Sequence, residues 1–182
     1  MVYLFLADGV AEMEAVTIAD CLRRLEIDLK LVGVTGMTVT GARGVKILAD
    51  IPVSDVPDGT HEMLIFPGGL RGVENLAASE RVRELAARAF EEGAPVGAIC
   101  AAPSFLAGLG LLKERTVTCY PSTAEAVRRG GAYVLPDRAA VREGALVTGQ
   151  GPAASIPFSL ALAELLLDRE NADFLASQLL YA

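Results

Sequence analysis

The chain has 182 residues, 52% of them hydrophobic and 21% charged, with 16 basic against 23 acidic side chains for a formal net charge of −7. A length of this order is one domain, burying roughly 70% of the surface its unfolded chain exposes, and so apolar a composition excludes disorder. The acidic balance excludes the basic stripe of a nucleic-acid surface and the basic cluster that holds a protein to an anionic membrane face.

Short runs rich in Val, Ile and Leu alternate with segments of helical period. The first run, Val2–Ala7, reads as a core strand. It is too short, and lacks the basic start, for a secretion signal. From Ala15 the apolar positions Ile18, Ala19, Leu22 and Leu25 keep the 3–4 spacing of one buried helix face. A second strand is expected at Leu29–Val34, and Thr38–Ala49, centred on Gly41-Ala42-Arg43-Gly44, reads as a hairpin decorating one edge of a sheet. Met63–Pro67 is the third strand. A helix follows Ser79, with Val82, Leu85, Ala86, Ala89 and Phe90 as its buried stripe and Gly93 as its stop. Pro95–Ile99, Thr116–Tyr120 and Leu146–Gly149 complete the strands. Ile156–Leu167 is apolar nearly all round, which places it deep in the fold or at a subunit contact; it is too short to span a bilayer. A last helix is expected around Glu170–Leu180. The pattern predicts one α/β domain over residues 1–182, with a mostly parallel central sheet and helices on both faces.

Cys21, Cys100 and Cys119 are an odd count without CxxC spacing, and His61 is the lone histidine. No zinc site can be assembled from them, and the thiols read as free in a reducing, cytoplasmic compartment. Cys21 and Cys119 are expected to be packing residues, and His61, in a turn before a strand, a solvated surface residue.

In an α/β sheet of this kind ligands sit at the carboxyl ends of the strands, so the strand-to-helix turns carry the chemistry. In Gly97-Ala98-Ile99-Cys100-Ala101-Ala102-Pro103 small residues flank Cys100 at the two positions a nucleophile elbow requires. A thiol at a helix N-terminus is expected to have a lowered pKa. In Phe66-Pro67-Gly68-Gly69-Leu70-Arg71-Gly72 the glycines let backbone N–H groups reach an oxyanion; no GxGxxG or GxxxxGK[ST] nucleotide loop occurs anywhere. In Asp8–Ala15 the acids fit ordinary dipole compensation, although Met13 and Ala15 beside Glu14 allow a half-buried carboxyl with a raised pKa.

Together with Ala42-Arg43-Gly44, Glu74-Asn75-Leu76 and Thr148-Gly149-Gln150-Gly151-Pro152, these turns resemble, in order and over nearly the whole length, the ThiJ/PfpI (DJ-1) superfamily and its Parkinson-disease-protein branch of deglycases and glyoxalases. The resemblance implies a three-layer, flavodoxin-like sandwich related to class I glutamine amidotransferases. It implies that Cys100 is the reactive, oxidation-prone cysteine and Glu14 the protonated carboxyl against its sulfur. Gly68, Gly69 and Ala101 match the backbone positions that hold an oxyanion or a sulfinate oxygen. Tyr120, Pro121, Arg43 and Gln150, which lies at the end of a strand, are further candidate pocket-lining residues. A homodimer is implied, with the first helix and the hairpin near the contact and Arg43 reaching toward the partner's site.

The departures are specific. The protease-like branch has a His after the cysteine, where this chain has Ala101; some glyoxalase members have a His before a proline, where it has Tyr120. No Cys–His dyad is in prospect, which argues against peptidase activity. The chemistry expected is addition of the Cys100 thiolate to a small carbonyl substrate, with Glu14 moving protons and two amides holding the oxyanion at about 3 kcal/mol per donor. That route converts a 2-oxoaldehyde to a hydroxy acid with no cofactor and no metal. The alternative is a non-enzymatic stress sensor or chaperone-like protein whose cysteine becomes a sulfinate. A phosphorylated metabolite such as a thiazole phosphate would find only Arg71 and Arg43 as basic residues nearby.

Overall fold

The computed structural model describes residues 1–59 and 61–181; the expected domain span also takes in Thr60 and Ala182, which lie outside them. In chain order the elements are β1 (Val2–Leu6), α1 (Glu12–Arg24), β2 (Leu29–Gly33), β3 (Thr38–Thr40), β4 (Lys46–Leu48), β5 (Ile51–Pro52), β6 (Met63–Phe66), α2 (Leu70–Ala78), α3 (Glu80–Glu92), β7 (Val96–Ile99), α4 (Ala102–Gly108), β8 (Thr116–Val117), α5 (Ala124–Arg129), β9 (Tyr133–Val134), β10 (Ala140–Glu143), β11 (Leu146–Gly149), α6 (Ser155–Leu166) and α7 (Arg169–Gln178). Seven strands form the central sheet in the order β10-β11-β7-β6-β1-β2-β5. All its pairings are parallel except β10 with β11, which is antiparallel.

Burial on both faces explains why the inner strands are unbroken apolar runs. Along β1, Tyr3 and Phe5 enter one core with Phe66, Leu85 of α3 and Leu106 of α4. Val2, Leu4 and Leu6 enter the other with Ile18 and Leu22 of α1, Phe158 and Leu162 of α6 and Leu175 of α7. The period of two therefore divides one strand between two helix layers, giving the three-layer sandwich. Helix α3 starts where expected, with the Ser79 hydroxyl accepting from the Val82 N–H, and stops at Gly93 in the left-handed region. The apolar α6 packs against α1, α7 and β11. No helix among the described residues is long and apolar enough to cross a membrane.

Several expectations need correcting. The hairpin β3–β4 does not join the edge of the main sheet. It forms a separate two-stranded sheet, and its turn is bonded to the β1–α1 turn through Gly9 N–H to Thr40 O and Ala42 N–H to Val10 O, at 2.8 Å each. The strand expected at Thr116–Tyr120 ends at Val117 and pairs with β9 outside the main sheet. Thr118 N–H then turns to the Thr148 hydroxyl, so Cys119 is buried without being in a strand. The charged edge strand β10 gives no apolar run; its residues Arg142 and Glu143 hide it.

Candidate functional site

Cys100 follows β7 directly, at the carboxyl end of the sheet. Its backbone is in the left-handed region, φ 64°, a conformation that costs a non-glycine residue about 1–3 kcal/mol and persists only when its surroundings fix it. They do so from two distant segments: the Cys100 N–H donates to Gly149 O at 2.9 Å, and the Cys100 carbonyl accepts from Tyr120 N–H at 2.8 Å. The small residues around it are needed for packing, since a Cβ on Gly97 would lie 2.8 Å from Leu162. The cysteine is 7% exposed.

Glu14 comes to it from the first turn of α1 and is fully buried. Its Oε2 accepts from the Gly68 N–H at 2.7 Å; its Oε1 is buried with no hydrogen-bond partner. Gly68 is the spacer between the two side chains, because a Cβ there would stand 2.5 Å from Cys100 Cβ and 2.7 Å from Glu14 Oε2. Gly69 caps α2 at φ 90° and passes so close to the Gly9 carbonyl that no side chain fits. The backbone N–H groups of Gly69 and Ala101 lie on the sulfur side of Cys100 and draw its pKa down.

The electrostatics overturn the expectation of a lowered thiol pKa. Burial, and then the charge and hydrogen bond of Glu14, push the Cys100 thiol up to about 12 against the opposing pull of the Gly69 and Ala101 amides. Burial likewise raises the Glu14 carboxyl, opposed by its hydrogen bonds from Cys100 and Gly68. The helix behind Cys100, α4, has seven residues, and its dipole does not overcome the loss of hydration. Two negative charges cannot share this enclosure, so the pair holds at least one proton. With that proton on Glu14, the repulsion vanishes and the carboxyl becomes a donor to a thiolate.

Above the sulfur opens a cleft of about 730 Å³, walled by Asp8, Gly9 and Glu12, by Thr40–Arg43 of the hairpin turn, by Gly69–Arg71, and by Tyr120 and Pro152. Arg43 and Tyr120, both candidate pocket residues, line this cleft. Pro121 and Gln150 do not: Pro121 opens an exposed 3₁₀ turn, and the Gln150 amide turns away to donate to the Pro136 carbonyl. Glu12, which sequence reading left as an ordinary first-turn acid, is buried and holds the hairpin turn. Its Oε1 accepts from Arg43 N–H at 2.6 Å and Val45 N–H at 3.3 Å. Burial opposes ionisation there, but backbone donors outweigh it and hold the carboxyl below its ordinary value. Asp8 and Thr40 were also missed, although Asp8 sits just past the end of a strand, where the topology puts ligands.

His61 is buried, not solvated as expected. It lies edge-on to Tyr3 with ring centroids 5.1 Å apart. It precedes β6, at the amino-terminal end of the parallel strands, whereas Cys100 lies beyond the carboxyl end of the neighbouring β7. No Cys–His pair forms.

Residues 1–165 match the family model described as the DJ-1/PfpI family. The chain is 34% identical over 180 residues to the protein dj-1beta of Drosophila melanogaster, covering 98% of this chain and 96% of that one. The crystal structure of that fly protein superposes with a TM-score of 0.95 at 33% identity, over 100% of this chain and 97% of the other. The glutathione-independent glyoxalase DJR-1.2 of Caenorhabditis elegans is 30% identical over 175 residues, covering 96% and 92% of the two chains. The structure named Toxoplasma gondii DJ-1, oxidized, superposes with a TM-score of 0.92 at 32% identity, over 100% and 98%. The elbow cysteine, the buried carboxyl and the parallel sheet that joins them thus sit in a chain that belongs to the DJ-1/PfpI family.

Proposed function

We propose that the protein is a cofactor-independent cysteine enzyme that converts 2-oxoaldehydes to 2-hydroxy acids, in the manner of a glyoxalase. The observation that carries this reading is the Glu14 carboxyl, fully buried, with Oε2 fixed by the Gly68 N–H and the side chain set against the Cys100 sulfur across Gly68. The likeness to a protein named a glutathione-independent glyoxalase supports the same reaction class.

The steps use only groups of this chain and water. The Cys100 sulfur bonds to the aldehyde carbon, and its proton passes to the carbonyl oxygen, giving a hemithioacetal. Glu14 as carboxylate takes the proton from that carbon, and the electron pair moves to form an enediol. Returning the proton to the adjacent carbon leaves a thioester. Its two carbons have exchanged oxidation state, so no external oxidant is required. Water then cleaves the thioester, restoring the thiol and releasing the hydroxy acid. The Gly69 and Ala101 amides stabilise the oxyanion formed in the first and last steps; each donor contributes about 3 kcal/mol in sites of this type. A raised Glu14 pKa suits a group that must both take and return a proton near neutrality.

The test is lactate formed per protomer from methylglyoxal. Many turnovers, lost in Cys100→Ser and in Glu14→Ala, are expected; one equivalent or less, unchanged by the Glu14 substitution, would refute the enzyme. A second reading is favoured by the same two amides, which also fit a sulfinate oxygen. Two equivalents of peroxide, each delivering one oxygen and leaving as water, would convert the thiolate to a sulfinate, and the protein would act as an oxidation sensor.

A further inference from the structure

We propose that the cleft selects electrophiles that carry an anionic tail, a carboxylate or a phosphate, and that Arg71 is the residue that binds the tail. The inference deepens the reading of Cys100 as the reacting atom and rests on it.

Most arginines outside the cleft, Arg23, Arg81, Arg115, Arg142 and Arg169 among them, are in ion pairs, whereas Arg83, Arg128 and Arg138 have none among the described residues. Among the described residues, neither Arg71 nor Arg43 has a carboxylate within ion-pair distance, and both line the cleft above Cys100. The Arg43 Nη1 reaches only the carbonyl of its neighbour Ala42, at 3.4 Å. Each of the two carboxylates in the same wall has one oxygen held by backbone donors. Asp8 Oδ1 accepts from the Thr40 N–H at 2.8 Å, and Glu12 Oε1 accepts from the amides of Arg43 and Val45. The cleft therefore presents two guanidiniums beyond ion-pair distance of any carboxylate among the described residues; Arg43 shares the field of the ionised Glu12, which leaves Arg71 the freer of the two.

Arg71 is the better placed of the two. It is the second residue of α2, two positions beyond Gly69, whose N–H faces the sulfur. Its stem is pressed against the β1–α1 turn, where a Cβ on Gly9 would lie 2.6 Å from Arg71 Cβ, so the close approach needs glycine and fixes the root of the side chain. The open amides of the first turn of α2 add to the positive field. A guanidinium binds carboxylate and phosphate through two parallel N–H bonds, a geometry an ammonium lacks. A cleft of about 730 Å³ is also far larger than a three-carbon dicarbonyl needs, leaving space for such a tail. The substrate class this describes is a 2-oxoaldehyde, or an adduct of one, ending in an oxyanion.

The experiment compares alkylation of Cys100 by iodoacetate and by iodoacetamide, followed by site-resolved mass spectrometry. In both the sulfur displaces iodide from the same CH₂ group and the thiol proton leaves to solvent; only the charge of the tail differs. Relative to free cysteine, the iodoacetate-to-iodoacetamide rate ratio at Cys100 is expected to be higher by about tenfold or more, within the range of electrostatic focusing in clefts. It should fall toward the free-thiol value in Arg71→Gln, persist in part in Arg71→Lys, and decline with added salt. A free-thiol ratio in the parent protein, or a raised ratio that Arg71→Gln leaves unchanged, would overturn the assignment. Methylglyoxal turnover measured beside it separates the two readings. Turnover with a free-thiol ratio removes the anion selectivity and keeps the enzyme; a raised ratio without turnover does the reverse.

Discussion

Glu14 is a carboxyl that the fold would hold more easily if it never ionised. Burial raises its pKa, so the stability it contributes is fully present below the ordinary value of 4.5 and is lost as pH rises through the raised folded value. Glu14→Gln keeps an acceptor for the Gly68 N–H and removes the titration. This variant should lose methylglyoxal turnover and melt higher than the parent above neutrality, by about 2–4 °C for each kcal/mol gained. Calorimetry across pH would show it, and an equal or lower Tm at pH 8 would count against the buried proton. Gly68→Ala makes the opposite point. Its Cβ would meet both Cys100 and Glu14 below any real contact distance, so turnover should fall by two orders of magnitude or more, together with a lower Tm. In the sequence the apolar neighbours Met13 and Ala15 hint at a half-buried Glu14, but Glu12 is an acid of the same helical turn and is buried too. What separates their roles is Gly68, which is 54 residues away from Glu14.

At the scale of elements, the hairpin turn depends on a helix. Glu12 of α1 accepts from the Arg43 and Val45 amides, and a Cβ on Gly41 would run into the Glu12 side chain. The turn forms one wall of the cleft, so its order and the shape of the site are the same property. Glu12→Ala leaves two donors without their acceptor and should destabilise the protein by about 1–3 kcal/mol. It should also speed hydrogen exchange at Arg43 and Val45 and raise KM more than it lowers kcat. Unchanged exchange at those two amides would show that the turn is held by something else. The hairpin was legible from its glycine pair, but its docking was not. Gly41-Ala42-Arg43-Gly44 specifies a reversal of the chain, not the surface it lies on. β10 was illegible for the opposite reason: an edge strand carrying an exposed Arg142 and a Glu143 that accepts from the Thr116 N–H lacks the two-sided burial that made β1, β6, β7 and β11 readable.

For the whole molecule, two buried titratable groups set opposing pH slopes. His61 has its pKa lowered chiefly by burial, which outweighs the opposing charge of Glu92; the N-terminal ammonium, Arg81 and Arg88 lower it further by smaller amounts. Its contribution is present above the ordinary value of 6.5 and is lost as pH falls through the lowered folded value, while that of Glu14 is lost as pH rises. His61→Phe, which keeps an edge-on ring against Tyr3, should flatten the acid limb of a plot of Tm against pH. It should leave the methylglyoxal reaction alone, since His61 lies at the other end of the strands. An acid limb as steep as the parent's would exclude His61 as its source. The layer architecture was legible because strands buried on both faces must be apolar at every position. The fate of His61 was not, because its burial depends on Tyr3 and on α3, both distant in sequence.

The bonds that hold the Cys100 backbone have a consequence for synthesis. They join residue 100 to Tyr120 and to Gly149, so the elbow cannot be complete until the ribosome has released the chain beyond both. Until then Cys100 is an ordinary thiol, without its strained backbone and without shelter from small oxidants. Damage to this cysteine is thus expected to fall most heavily on newly made protein, before the last third of the chain has docked.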